Sequence, residues 1–288
     1  MSDKKHPLLV TGGIIGIGTC LAVYPFVSNF MYEKSQENMI LEMDNTEIDD
    51  SEIEREKEAA DAYNRYLLEE NIILTDPFDP EAFAKDLQVG YADIMNTYGN
   101  GLMGYLEVPA IDLSLGIYHG TSADVLKNGV GHLENTSLPV GGKSTHAVLS
   151  AHTGLSDKKL FTDLVLLEEG DMFYIHVLDD VLAYKVDQIA VVEPEDTSLL
   201  YVVPDEDLVT LVTCTPYGVN SHRLLVRGRR VPYVEEEVSE TENKASFMAS
   251  SWMKQYAIAV GAGTVLVAVI LFVGIFLDRK GRKKHDQS

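Results

Sequence analysis

The sequence predicts a mainly β domain with a helical addition at its N-terminal side, set between two apolar stretches near the chain ends. Three observations predict it. Between Gly104 and Val231, short β-branched and aromatic runs alternate with turn residues, the pattern of a barrel or a sandwich. Between Glu33 and Glu70 the chain has neither Gly nor Pro, and Ile53, Ala59, Ala60, Tyr63 and Leu67 recur at spacings that fit one helical face. Leu8–Tyr32 and Tyr256–Leu277 carry no charge, and each meets the roughly 20 mostly apolar residues a spanning helix needs.

Taken in order, residues 1–7 form a short basic N-terminus with Lys4 and Lys5, and 8–32 a first transmembrane helix. Pro25 and Asn29 bring the membrane-buried part of that helix to an early end. Residues 33–75 read as an acidic helical extension with one edge on a domain and its charged face in water. Asp76-Pro77-Phe78-Asp79-Pro80 interrupts it, because Pro lacks a donor and constrains the residue before it. A short helix then fits Glu81 to Tyr98 before Gly99-Asn100-Gly101 ends it, closing a segment of 76–100.

The β domain covers 101–232. Strands are expected at Gly104–Val108, Leu113–Tyr118, His146–Ser150, Met172–Leu178, Val181–Val192, Leu208–Cys214 and Arg223–Val231, with a tight turn at Asp179-Asp180. Short helices fit Ser122–Lys127 and Lys158–Leu167. Residues 233–255 are a polar linker, 256–277 a second transmembrane helix, and 278–288 a tail with Arg279, Lys280, Arg282, Lys283 and Lys284. Basic residues flanking a span favour the cytoplasmic side, so both termini are expected there and the β domain outside. No small-x-small cleavage site follows the first apolar core, which argues for a retained span and a multi-pass membrane protein.

The formal net charge is −22 although both tails are basic, so the outer portion is strongly acidic. That excludes nucleic acid as a partner, since nothing there neutralises phosphates, and disfavours lying flat on an anionic membrane. Only Cys20 and Cys214 occur, and Cys20 lies inside the first apolar stretch. The outer domain therefore has one thiol and no internal disulfide, a pattern that flags a reactive group. Acidic residues are scattered without a calcium-loop spacing, so no metal and no cofactor are expected.

Cys214 ends the β-branched run Leu208-Val209-Thr210-Leu211-Val212-Thr213, and Pro216 with Gly218 terminates the strand. Alternation puts Leu208, Thr210, Val212 and Cys214 on one face. The loop from Thr215 to Ser221 returns the chain antiparallel and brings Arg223 near the thiol. A guanidinium there favours thiolate and can donate to an oxyanion. A third element, Val148-Leu149-Ser150-Ala151-His152, is an apolar strand ending in a histidine, the side chain suited to proton transfer near neutral pH. His222 is nearer the cysteine in sequence, but it adjoins Arg223 and should face the other way. His119, His132, His146 and His176 have weaker context.

The run Thr210–Arg230, TLVTCTPYGVNSHRLLVRGRR, resembles the cysteine-to-arginine segment of sortases, in particular the class C, pilus-assembling ones. Gly131-His132-Leu133-Glu134, Thr136–Gly142 and Leu160–Leu164 resemble that class too. The resemblance implies an eight-stranded sortase β-barrel and a catalytic set of Cys214, His152 and Arg223. It also implies a lid formed by Asp76, Pro77 and Phe78, with Phe78 over Cys214 and Asp76 paired to Arg223; without it, Asp76-Pro77 reads as a turn between helices. The chain departs at Thr153, where related sequences often carry arginine.

The activity so implied is cleavage of an LPXTG-like sorting signal between Thr and Gly through a thioester on Cys214, followed by transfer to a pilin lysine. The expected partners are pilins or surface proteins bearing such signals, and membrane lipid through the two spans. A housekeeping enzyme using a cell-wall amine, a thiol protease using water, and a non-catalytic surface protein are the competing readings. A sortase substrate is disfavoured because no LPXTG precedes the second span.

Overall fold

The computed structural model describes residues 6–70, 72–79, 90–155, 157–234, 258 and 260–265. The chain divides into two compact units, Met1–Tyr24 with Ala249–Ser288, and Pro25–Met248. The first unit contains the start of helix α1 (His6–Asp44) and a described helical piece at 260–265. Among the described residues no helix is long and apolar enough to cross a membrane. Most of Tyr256–Leu277, the linker from residue 235, the tail, and the side chains of residues 6–15 lie outside the described residues.

In the second unit, eight strands close into a barrel: β1 (Leu102–Val108), β2 (Leu113–His119), β3 (Val130–His132), β4 (Thr145–Ser150), β5 (Met172–Val177), β6 (Asp180–Val192), β7 (Asp207–Thr215) and β8 (His222–Val231). Their order around the barrel is β1-β2-β3-β4-β7-β8-β6-β5. β2–β3 and β4–β7 are parallel pairs and the others antiparallel. Alternating side chains of β1, β2, β4, β7 and β8, among them Leu106, Ile117, Leu149, Leu211 and Val226, fill the interior. A smaller apolar cluster of Leu74, Leu133, Val148, Leu200, Val212 and Leu225 lies on the opposite, outer face of β4, β7 and β8.

β3 has no counterpart in the sequence expectation, and its neighbours explain why. A Cβ on Gly131 would come within 2.4 Å of the Gly120 carbonyl oxygen, and one on Gly129 within 2.7 Å of the Tyr118 ring. The close approach that forms this part of the barrel requires the glycines that hide the strand from β propensity. The β5–β6 turn also differs: Val177 pairs with Asp180, so Leu178-Asp179 forms the tip, one residue before the expected Asp179-Asp180. Leu178 takes φ +52°, a position that Gly, Asn or Asp normally fills.

The acidic stretch from Glu33 forms two helices rather than one. Asn45 Nδ2 and Thr46 Oγ1 donate to the Leu41 and Glu42 carbonyls at 2.6 and 2.7 Å, competing with the helical backbone. Asp49 then caps α2 (Asp50–Glu69) by accepting from the Ser51 N–H at 2.9 Å. The outer part of α1 seats on the barrel. Asn29 Oδ1 accepts from Lys159 N at 2.8 Å, the Tyr32 hydroxyl donates to the Asn128 carbonyl at 2.9 Å, and Gln36 Oε1 accepts from Gly116 N at 3.0 Å. The last turns of the Leu8–Tyr32 stretch, from Pro25, thus belong to the barrel-bearing unit. Residues 81–89 of the helix expected at Glu81–Tyr98 lie outside the described residues, and Tyr91–Asp93 is a 3-10 turn.

α2 buries Ala60, Tyr63 and Leu67 in the main core, while Ile53 and Ala59 are half-buried. Buried Asn64 grips the chain like a paired strand, its Nδ2 donating to the Leu138 carbonyl at 3.2 Å and its Oδ1 accepting from Leu138 N at 2.7 Å. Asn64→Ala leaves the buried Leu138 N–H without a partner, while the Leu138 carbonyl keeps Val140 N at 2.8 Å, and is expected to lower the unfolding free energy by about 1–3 kcal/mol, read from urea denaturation. A change within error would mean the amide contributes nothing net.

Candidate active site

The site lies at one rim of the barrel, on the outer face that carries the smaller apolar cluster. β4 and β7 run parallel with Ser150 opposite Val212, and Ala151 N donates to the Val212 carbonyl at 3.2 Å. Buried Thr213 turns inward and its hydroxyl donates to the Ala151 carbonyl at 2.8 Å. These bonds tie the end of β4 to the end of β7, so His152 leaves β4 at the level where β7 presents Cys214. The main chain at His152 is fixed again by Phe161 N, which donates to its carbonyl at 3.1 Å. Gly154 N donates to Thr162 Oγ1 at 3.1 Å. On the other side, Cys214 faces Arg223 directly across the β7–β8 ladder, and Arg223 faces Val192 across β8–β6. Directly opposed residues share a face of the sheet, so these three occupy one row.

Over that row lies the segment Asp76–Asp79. It is a β-turn with Pro77 at its second position, closed by Asp79 N donating to the Asp76 carbonyl at 3.0 Å. Phe78 N also donates to Asp76 Oδ1 at 3.3 Å, a side-chain turn typical of Asp before Pro. The Asp76 carboxylate receives Arg223 through both ends of the guanidinium: Nε donates to Oδ1 at 2.8 Å and Nη2 to Oδ2. Nη1 is engaged as well, reaching the Asn220 and His222 carbonyls at 3.2 and 3.1 Å. The Phe78 ring sits between the two polar groups, 5.6 Å from the His152 ring and 5.1 Å from the Arg223 guanidinium carbon. Upstream, Leu74 enters the outer apolar cluster and its N–H donates to the Tyr201 hydroxyl at 3.3 Å.

Burial under this cover acts on the titrating groups. It pushes the Cys214 thiol up; the positive charge of Arg223 pulls it back and the negative charge of Asp76 adds to the rise. Burial pushes His152 down. In this conformation both groups favour their neutral forms.

The structure brings Asp76, Phe78, His152, Cys214 and Arg223 together at the rim, with Pro77 at the turn. The remaining histidines are engaged elsewhere. His222 contacts Ser221 Oγ at 2.8 Å and Glu193 at 3.2 Å. His119 reaches the Gly101 and Ile94 carbonyls, and His176 bonds Glu107 and stacks on Tyr105. His132 and His146 are buried, which pushes each down to about 4. Arg227 pairs with Asp187, Arg229 with Asp187 and Glu206, and Arg230 with Asp207. Thr213 and Tyr201 hold the site together and were not singled out from the sequence. Strand alternation does place Thr213 inward, but its partner on β4 is visible only with the parallel register. Cys20 is exposed on α1. Among the described residues no group of three or more His, Cys, Asp or Glu side chains converges to hold a metal.

A family model described as the Sortase domain matches residues 106–231. Among solved structures, the chain is similar to sortase C-1 of Streptococcus pneumoniae, with 46% identity over 68% of this chain and 100% of that one, at a TM-score of 0.63. It is equally similar to sortase C1 of Streptococcus agalactiae, with 46% identity over 71% of this chain and 98% of that one, at a TM-score of 0.63. Sortase D of Bacillus subtilis (strain 168) is 30% identical over 131 residues, 44% of this chain. The match spans 63% of the length of that curated relative.

Proposed function

The chain belongs to the sortase family, and on that premise we propose that it is a membrane-anchored cysteine transpeptidase that joins pilin subunits outside the cell. The observation that carries this reading is the row of Cys214 and Arg223 beside His152, covered by a turn whose carboxylate engages Arg223. The likeness to sortases C at 46% identity supports the pilus class. Two uncharged apolar stretches flanked by basic residues support anchoring at both ends.

In the proposed reaction, His152 takes the thiol proton of Cys214 and the resulting thiolate attacks the Thr carbonyl carbon of the Thr–Gly bond in an LPXTG-like signal. The C–S bond forms as the carbonyl electrons move onto oxygen, where Arg223 donates. His152 gives its proton to the departing glycine amine as the C–N bond breaks, leaving a thioester. An incoming lysine amine then attacks that thioester and loses a proton to His152, and Cys214 leaves. Arg223 cannot serve substrate while its donors are held by Asp76 and the loop carbonyls, so the turn acts as a lid that competes for the arginine.

The test is product analysis with an LPXTG-type peptide and Nα-acetyl-lysine amide. An amide product supports the reading. Acid product alone, with amine present, would make the protein a thiol protease. A preference for a diglycine-type amine would move it to cell-wall attachment.

The pH dependence follows from the covered pair. Burial raises Cys214 and lowers His152, so the resting protein holds thiol and neutral imidazole near neutral pH. Its alkylation by iodoacetamide is expected to climb through the alkaline range as thiolate forms, without a plateau at neutral pH. Phe78→Ala removes part of the burial and is expected to move that profile to lower pH. A neutral-pH plateau in the wild-type chain would show a resting thiolate–imidazolium pair instead.

A further inference from the structure

β6 spans 13 residues, and only its first half is flanked on both sides. β5 pairs with it from Asp180 to Lys185, and Gly170 and Asp171 close on Val186 through main-chain bonds of 2.9 and 2.8 Å. Asp187 is bulged out of the ladder, and from Gln188 to Val192 β6 pairs with β8 alone; among the described residues no main-chain bond reaches its other edge. Ile189 stands opposite Val226 and Val191 opposite Leu224, both residues of the main core. The two β6 side chains therefore point to the core side of the sheet. β5 has ended, so they remain 36% and 59% exposed. A free edge with apolar side chains two residues apart is a template for strand pairing, and folded proteins normally cover or blunt one.

We propose that this edge, Gln188 to Val192, receives an extended segment of the acceptor protein as an added strand. The proposal rests on the transpeptidase reading above and names where its second substrate docks. An added strand continues the barrel along the line β5 has left, and its own alternating side chains cover Ile189 and Val191. The edge also leads to the chemistry, because Val192 lies in the row of Arg223 and Cys214. Strands about 4.8 Å apart put the added strand about 14 Å from β7. That exceeds the reach of one lysine side chain, so the reacting lysine belongs to the segment leaving the strand.

Charge selects the occupant. The strand runs out into Glu193-Pro194-Glu195-Asp196, and the Glu193 side chain is 68% exposed. A lysine-bearing segment meets attraction there, whereas a second copy of a chain with net charge −22 meets repulsion. Val231, at the end of β8, pairs with Ala183 near the other end of β6.

The experiment uses the full chain in detergent with an LPXTG-type donor peptide and two acceptors, Nα-acetyl-lysine amide and acetyl-Thr-Val-Thr-Val-Gly-Ser-Gly-Lys-amide, whose spacer lets the lysine leave the strand and span the distance to β7. The thioester adduct, which needs no acceptor, reports by intact mass that each variant is folded and acylated. The wild-type chain is expected to transfer roughly tenfold better to the strand-forming peptide than to acetyl-lysine amide. Ile189→Lys and Val191→Lys place a cation on the edge and are expected to bring that ratio to about one. A wild-type ratio near one, or a ratio kept in both variants, overturns the docking proposal while leaving the transpeptidase reading intact. A dimer in solution that either substitution dissociates assigns the edge to a second copy and also overturns it. Thioester without amide from either acceptor overturns the transpeptidase reading, and the docking proposal falls with it.

Discussion

Arg223→Lys is expected to lower kcat/KM for acyl transfer by about 10²–10³-fold, the loss seen when a donor to a developing oxyanion is removed. The guanidinium is planar and offers a fork of donors, and here that fork engages both oxygens of Asp76 and two loop carbonyls. Lysine keeps the charge beside Cys214 but presents a single flexible ammonium. The substitution therefore separates charge from geometry. With charge alone at work, alkylation of Cys214 keeps its thiolate assistance while peptide turnover falls. Turnover within about threefold of wild type would remove Arg223 from the proposed mechanism.

Asp76→Ala is expected to raise the rate at which a methanethiosulfonate reagent modifies Cys214 by about 10–100-fold. A hydrogen bond to a charged partner contributes about 1.5–3 kcal/mol, and tenfold corresponds to about 1.4 kcal/mol. Asp76 is held by a two-point contact with a guanidinium that is itself only 9% exposed, so little of that attraction is screened by water. Removing the carboxylate also takes a negative charge away from the thiol, which lowers its pKa and adds to the rate. The two substitutions act on one contact, so Asp76→Ala in an Arg223→Lys background should add little further. Additive effects, or an unchanged rate in Asp76→Ala, would mean the turn does not gate the thiol.

Much of the barrel and of the site's layout was legible in the residues themselves. Seven of the strands announce themselves as β-branched runs, and alternation with a short return loop puts Cys214 and Arg223 side by side. What stayed hidden depended on contacts between distant segments. β3 is written in glycines that long-range backbone approaches demand. The break between α1 and α2 comes from Asn45 and Thr46 bonding back to the helix they end. The turn at Leu178 uses a residue type that carries no turn signal. Asp76-Pro77-Phe78 reads locally as a bend between helices. Only family resemblance pointed from it to Arg223, which lies 147 residues away. The unpaired edge of β6 was invisible for the same reason: the sequence shows a long strand but not where its neighbour stops.

The most direct test of a Cys214 acyl-enzyme is intact-mass detection of the full chain after incubation with an LPXTG-type peptide. An adduct of the acyl fragment is expected on the wild-type chain, more of it on Phe78→Ala, and none on Cys214→Ala. An adduct that survives in Cys214→Ala, or its absence from both the wild-type and Phe78→Ala chains, would contradict a Cys214 acyl-enzyme.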